Sequence, residues 1–158
     1  MSLRTLAITP IEISGDKDAP VLVPNQPIPR QRILVVEDDA DIRQLYSEAL
    51  TGSGYLVDTA EDGEAGWKVL HAVRYDPDCY DLLITDNNMP KLSGVELIKK
   101  LRFERMILPV ILASGSAPIN TGWLQLEAVL PKPFSLDQLV QTVKEVLHTA
   151  NGSREWKL

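Results

Sequence analysis

The sequence predicts an α/β fold, a doubly wound five-stranded parallel sheet with helices on both faces, and three observations predict it. Five short apolar runs alternate with stretches whose apolar residues recur at helical spacing. The runs are continuously apolar rather than alternating, the pattern of strands covered on both faces. Most of them end abruptly in polar residues, and the carboxyl ends of parallel strands are where open α/β sheets bind ligands.

Taken in order, residues 1–30 carry five prolines and read as a flexible Pro-rich arm or linker, with some strand character in Leu6-Ala7-Ile8 and Ile11-Glu12-Ile13. Arg32 to Val36 is the first strand, ending in Glu37-Asp38-Asp39. Ile42, Leu45, Tyr46, Ala49 and Leu50 follow at helical spacing until Gly52 and Gly54 stop the pattern. Tyr55 to Ala60 reads as the second strand, Asp62-Gly63 as a turn, and Ala65, Trp67, Val69 and Leu70 as the apolar side of a second helix. The third strand is Leu82-Leu83-Ile84-Thr85-Asp86, too short for a free-standing helix.

Ser93-Gly94 introduces a third helix with Val95, Leu97, Ile98 and Leu101 inward. Pro109 to Ala113 forms the fourth strand and ends at Ser114. Pro118, Asn120 and Gly122 leave room for little more than a short helix before the fifth strand, Leu126 to Leu130. Pro131-Lys132-Pro133-Phe134 follows, and Ser135 caps a last helix carrying Leu136, Leu139, Val140, Val143, Val146 and Leu147. The domain is expected over residues 31–149, with 150–158 as a patternless tail.

Composition narrows the function classes. A net charge of −6 without a basic cluster argues against direct nucleic-acid binding. The single cysteine, Cys79, excludes an internal disulfide and is expected to be an inert, partly buried thiol in a reducing, cytoplasmic compartment. No stretch approaches the about 20 apolar residues that span a bilayer, and no signal peptide is legible.

The predicted sheet edge gathers Glu37 and Asp38 from strand one, Asp86 from strand three, Ser114 from strand four and Lys132 from strand five. Taken singly, each has a commonplace reading: a helix cap, a turn residue or a surface lysine. Together they repel or attract strongly enough to need a purpose. Clustered carboxylates raise one another's pKa unless a cation neutralises them. Hard oxygen donors suit Mg²⁺, which takes one or two carboxylates and bridges to phosphate. A lysine and a serine opposite could hold phosphoryl oxygens, making Asp86 a phosphoryl-accepting nucleophile.

At these residues the sequence resembles the receiver domain of two-component response regulators. The match runs from about Gln31 to Thr149 and rests on Ile33-Leu34-Val35-Val36-Glu37-Asp38-Asp39, on Thr85-Asp86-Asn87-Asn88-Met89-Pro90 with Gly94 beyond, on Ala113-Ser114, and on Lys132-Pro133-Phe134. The resemblance implies a flavodoxin-like strand order 2-1-3-4-5. It implies that Asp86 accepts a phosphoryl group from a phosphohistidine of a sensor histidine kinase or phosphotransfer protein. Asp38 would ligate Mg²⁺ directly, Glu37 through water, and Asn88 through its backbone carbonyl. Ser114 would hydrogen-bond the phosphoryl oxygens, Lys132 would pair with the phosphoaspartate, and the Lys132–Pro133 bond would be cis.

Two departures stand out. Val129 occupies the position where the family usually carries an aromatic residue, and the stretch between Ser114 and Lys132 is short. Signalling is therefore expected to use loop rearrangement around Ser114 to Gly122. The face formed in the family by helix four, strand five and helix five, used there for homodimers and targets, is expected to be remodelled.

The favoured reading is a stand-alone receiver, because nothing after Thr149 resembles an output domain; it would signal to a downstream protein target or by relay. A phosphorylation-independent scaffold is the alternative. A phosphatase of the haloacid dehalogenase type also uses an aspartate nucleophile with Mg²⁺, but needs a second aspartate where this chain has Asn88.

Overall fold

The computed structural model describes residues 30–116 and 121–154, so the expectations for the N-terminal arm, for Pro118 and Asn120, and for residues 155–158 lie outside the described residues. The elements run β1 (Arg32–Val36), α1 (Ala40–Gly52), β2 (Leu56–Ala60), α2 (Gly63–Ala72), β3 (Leu82–Asp86), α3 (Gly94–Phe103), β4 (Val110–Ser114), a 3₁₀ turn η1 (Gly122–Leu124), β5 (Ala128–Pro131) and α4 (Leu136–Arg154). All strand pairs are parallel, in the order β2-β1-β3-β4-β5. This is the predicted architecture.

Alternation along the strands divides the core in two. Leu34, Val36, Leu83, Val110 and Leu112 point to the face covered by α2 and α3, where Leu70, Leu97, Ile98 and Leu101 pack against them. Ile33, Val35, Leu82, Ile84 and Ile111 point to the other face, met by Tyr46 and Leu50 of α1 and by Leu139, Val143 and Leu147 of α4. Both faces are therefore filled, which is why the strands read as unbroken apolar runs.

Local chemistry sets the helix starts. Asp39 accepts from the amides of Asp41 and Ile42, Asp62 from Ala65, and Ser93 forms a reciprocal capping box with Glu96. Ser135 does the same with Gln138, whose amide donates to Ser135 Oγ while Ser135 N donates to Gln138 Oε1.

Among the described residues four α-helices cover the sheet, and η1 stands between β4 and β5 where little more than a short helix was expected. The structure corrects the sequence reading in four places. The fifth strand starts at Ala128 rather than Leu126. α4 continues to Arg154 through Asn151 and Gly152, because helix propensity is a weak bias once the preceding turns are packed. Cys79 is exposed rather than partly buried, since it sits in the β3-leading loop and not on a packed face. Leu45, at a helical apolar position, is also left exposed.

Candidate functional site

The carboxyl ends of β1, β3, β4 and β5 bring the predicted residues to one edge. Glu37, Asp38 and Asp86 each place a carboxylate oxygen within 4.8 Å of the others. Glu37 and Asp86 are buried, at 2% and 6% exposure, whereas Asp38 is exposed. Lys132 crosses from the end of β5 to place its Nζ 2.9 Å from Asp86 Oδ1 and 3.3 Å from Glu37 Oε2. One cation thus serves two buried carboxylates.

Burial pushes the Glu37 carboxyl above its usual range, and the nearby Asp86 charge adds to this, while the Asp39 amide and Lys132 oppose it. Lys132 loses some stability in its charged form to burial, but its hydrogen bond to Asp86 and the charge of Glu37 win, and its pKa is raised. Both oxygens of Glu37 are engaged, Oε1 by the Asp39 amide at 3.2 Å and Oε2 by Lys132.

Lys132 is itself anchored. Its backbone amide donates to the Ser114 carbonyl at 2.9 Å, the Lys132–Pro133 bond is cis, and the following Phe134 stacks on Tyr46 of α1 at 5.6 Å. Ser114 is buried at the end of β4, with its hydroxyl donating to the Ser116 carbonyl rather than to a carboxylate. Asn88 is exposed in the loop after β3.

That loop is held from both sides. Asn87 N donates to the Ala113 carbonyl, its own carbonyl accepts from Gly94 N, and its side-chain oxygen accepts from Val95 N. Gly94 is required here, because a Cβ at this position would lie 2.2 Å from the Asp86 carbonyl oxygen. Lys91, in the left-handed region at φ 67°, pairs with buried Asp62 at 2.8 Å.

Four contributors escaped sequence reasoning. Arg43 of α1 donates from Nη1 to the Glu37 carbonyl at 2.7 Å and to that of Asp38 at 3.3 Å, holding the acidic turn. Asp62 read only as a turn residue, and Lys91 carried no sequence signal of its ion pair with it. Asn87 follows β3 directly, and nothing local in the sequence marks that its side-chain oxygen accepts from Val95 N eight residues on.

The donor set fits a hard divalent cation: three carboxylates converge from two strand ends, one of them exposed to solvent. Clustered acids alone would be ordinary; the lysine bridging two of them is not.

Comparison with known proteins agrees with this arrangement. A family model described as the response regulator receiver domain matches residues 33–144. The chain is 30% identical over 128 residues to the transcriptional regulatory protein TctD of Salmonella typhimurium, covering 77% of this chain and 54% of TctD. The chain thus spans about half the length of the curated relatives it matches. Among solved structures, the response regulator protein TrrA of Thermotoga maritima, determined in complex with Mg²⁺-BeF, is similar at 34% identity and TM-score 0.63, covering 73% of this chain and 98% of that one. The Vibrio cholerae chemotaxis protein CheY4 is similar at 28% identity and TM-score 0.65, covering 74% and 98%.

Proposed function

The chain belongs to the response regulator receiver domain family, and from that premise we propose that Asp86 accepts a phosphoryl group from a phosphohistidine of a histidine kinase or phosphotransfer protein. The observation that carries the reading is the ion pair of Lys132 with buried Asp86 beside Glu37 and Asp38. In the transfer, an Asp86 carboxylate oxygen forms a bond to phosphorus as the phosphorus–nitrogen bond to the donor imidazole breaks, and the imidazole leaves with the electron pair.

Mg²⁺ would be held by Asp38, Asp86 and the Asn88 carbonyl, and when bound it neutralises charge that builds on the phosphoryl oxygens. Glu37 acts through water, in keeping with the engagement of both its oxygens. Lys132 moves with the negative charge, from the carboxylate to the phosphoryl group. Ser114 exchanges its Ser116 partner for a phosphoryl oxygen, and signalling uses rearrangement around Ser114 to Gly122. The product carries about 1.5 to 2 added negative charges at the sheet edge, enough to bias a loop equilibrium.

The chain's own chemistry is confined to gaining and losing this phosphoryl group, and the domain begins near residue 31 and includes the whole of α4. Its state is read by a protein partner, in the cytoplasm. Among the described residues no helix is long and apolar enough to cross a membrane. The stand-alone working mode is tested by the size of the native gene product: a chain of 17.6 kDa supports it, and one near twice that size removes it.

Intact-mass analysis after incubation with acetyl phosphate tests the central claim. A Mg²⁺-dependent gain of one phosphoryl group, absent in Asp86→Asn, supports the reading. If neither acetyl phosphate nor a panel of phosphorylated histidine kinases labels the wild type, the phosphorylation-independent scaffold replaces it.

A further inference from the structure

Away from the carboxylate edge, the face of the molecule formed by α2, α3 and η1 carries an open groove of about 670 Å³. Its walls are aromatic. Trp67 projects from α2, Phe103 from the end of α3, and Trp123 from η1; Phe103 is 86% and Trp123 53% exposed. Exposed aromatic clusters of this kind are costly to leave in water and mark interaction surfaces.

Charge at the groove is opposite to that of the whole. The chain carries −6, yet the groove is lined by Lys99, Lys100 and Arg102 against a single acid, Glu104. Lys99 Nζ lies 5.3 Å from the centre of the Trp123 ring, and Lys100 Nζ lies 5.4 Å from that of Trp67. Both are exposed, and neither is in an ion pair among the described residues. Each ammonium is therefore poised over a ring and open to an incoming carboxylate.

The shape persists because Arg102 builds the floor. Its guanidinium donates to the carbonyls of Leu124, Gln125, Met106 and Leu108, tying η1 to α3. Carried on the 3₁₀ turn η1, Trp123 is half-exposed and lines the groove rather than the core.

We propose that this groove docks an acidic segment of a partner protein, seating one large apolar side chain among Trp67, Phe103 and Trp123 with flanking carboxylates on Lys99 and Lys100. A second copy of this chain is a poor occupant, because two acidic molecules repel while the groove attracts negative charge. The contact is independent of Asp86 chemistry and lies on a different set of elements.

The test uses the 158-residue, ¹⁵N-labelled chain, whose three tryptophans, Trp67, Trp123 and Trp156, give separate indole signals. The probes are synthetic 12-residue peptides of Asp and Glu around one Leu or Phe, with varied spacing, and matched peptides with Lys replacing every acid. The expected result is saturable shifts of the Trp67 and Trp123 signals with at least one acidic peptide and none with its basic counterpart. Affinity should drop at least tenfold in Lys99→Glu/Lys100→Glu, whose substitutions lie on the exposed side of α3 and leave circular dichroism and acetyl phosphate labelling unchanged.

Four results overturn the proposal. No acidic peptide shifts either signal, or acidic and basic peptides shift them equally, so that charge plays no part. Dilution alone moves both signals, making a second copy the occupant. Or Glu12→Lys/Asp16→Lys/Asp18→Lys moves them without peptide, making this chain's own N-terminal arm the occupant.

Discussion

The ammonium of Lys132 sits 2.9 Å from Oδ1 of Asp86, although Asp86 ends β3 and Lys132 follows β5, with β4 between those strands. Removing that ammonium leaves Glu37 and Asp86 facing each other, both buried. Lys132→Met is expected to cost about 1–3 kcal/mol in metal-free urea unfolding, because two desolvated carboxylates lose their partner. Labelling by acetyl phosphate should also slow by about a hundredfold, as for other lost charge stabilisers. A variant of unchanged stability would show that water, not Lys132, compensates the pair.

Gly94 carries the second prediction. A methyl group there meets the Asp86 carbonyl at 2.2 Å, and a backbone atom cannot rotate aside. Gly94→Ala should cost about 1–3 kcal/mol and displace the β3–α3 loop. Amide signals of Asp86 to Asn88 should shift; wild-type signals and stability together would mean that α3 slides without penalty.

A third prediction concerns the shortened region between β4 and β5. Four carbonyls share the Arg102 guanidinium, which is half-buried and has its pKa lowered by desolvation. Arg102→Ala is expected to cost about 2–3 kcal/mol. Arg102→Lys should recover less than half, because a single ammonium cannot match a planar fork aimed at four acceptors. Full recovery by lysine would assign the effect to charge alone.

The acid limb of stability supplies the fourth. The Lys91 hydrogen bond, helped by the Ala65 amide, holds the Asp62 carboxyl below its ordinary value of 3.8. A pKa lowered by folding contributes stability that is complete above the unfolded value and lost as pH falls through the folded one. Urea midpoints measured from pH 6 down to pH 2 should therefore fall less steeply below 3.8 in Asp62→Asn than in the wild type. Parallel curves would remove Asp62 from the acid response.

Much of this was legible in advance because strand ends announce themselves. Asp86, Ser114 and the Glu37-Asp38 pair each close an apolar run, so one-dimensional pattern and three-dimensional edge coincide. Lys132 was legible for the same reason. The supporting contacts were not, because they join residues whose proximity depends on packing. Asp62 and Lys91 are 29 residues apart, and Arg102 and Leu124 are 22 apart. Arg43 looked like any solvent-facing helix residue, and nothing local distinguishes a lysine that covers a tryptophan from one that does not. The end of α4 was missed because Asn151 and Gly152 are poor helix formers on a helix already paid for upstream.

The order of the strands also divides the site into parts that open at different rates. β3 lies between β1 and β4, hydrogen-bonded on both sides, so the amides leading to Asp86 can exchange with solvent only when the sheet itself comes apart. Among the described residues β5 is an edge strand paired only to β4, and Lys132 follows directly from it. Deuterium should enter the Ala128 to Leu130 amides well before those of Leu83 to Thr85. Asp86 thus ends a strand paired on both sides, while its counter-charge follows a strand at the border of the sheet.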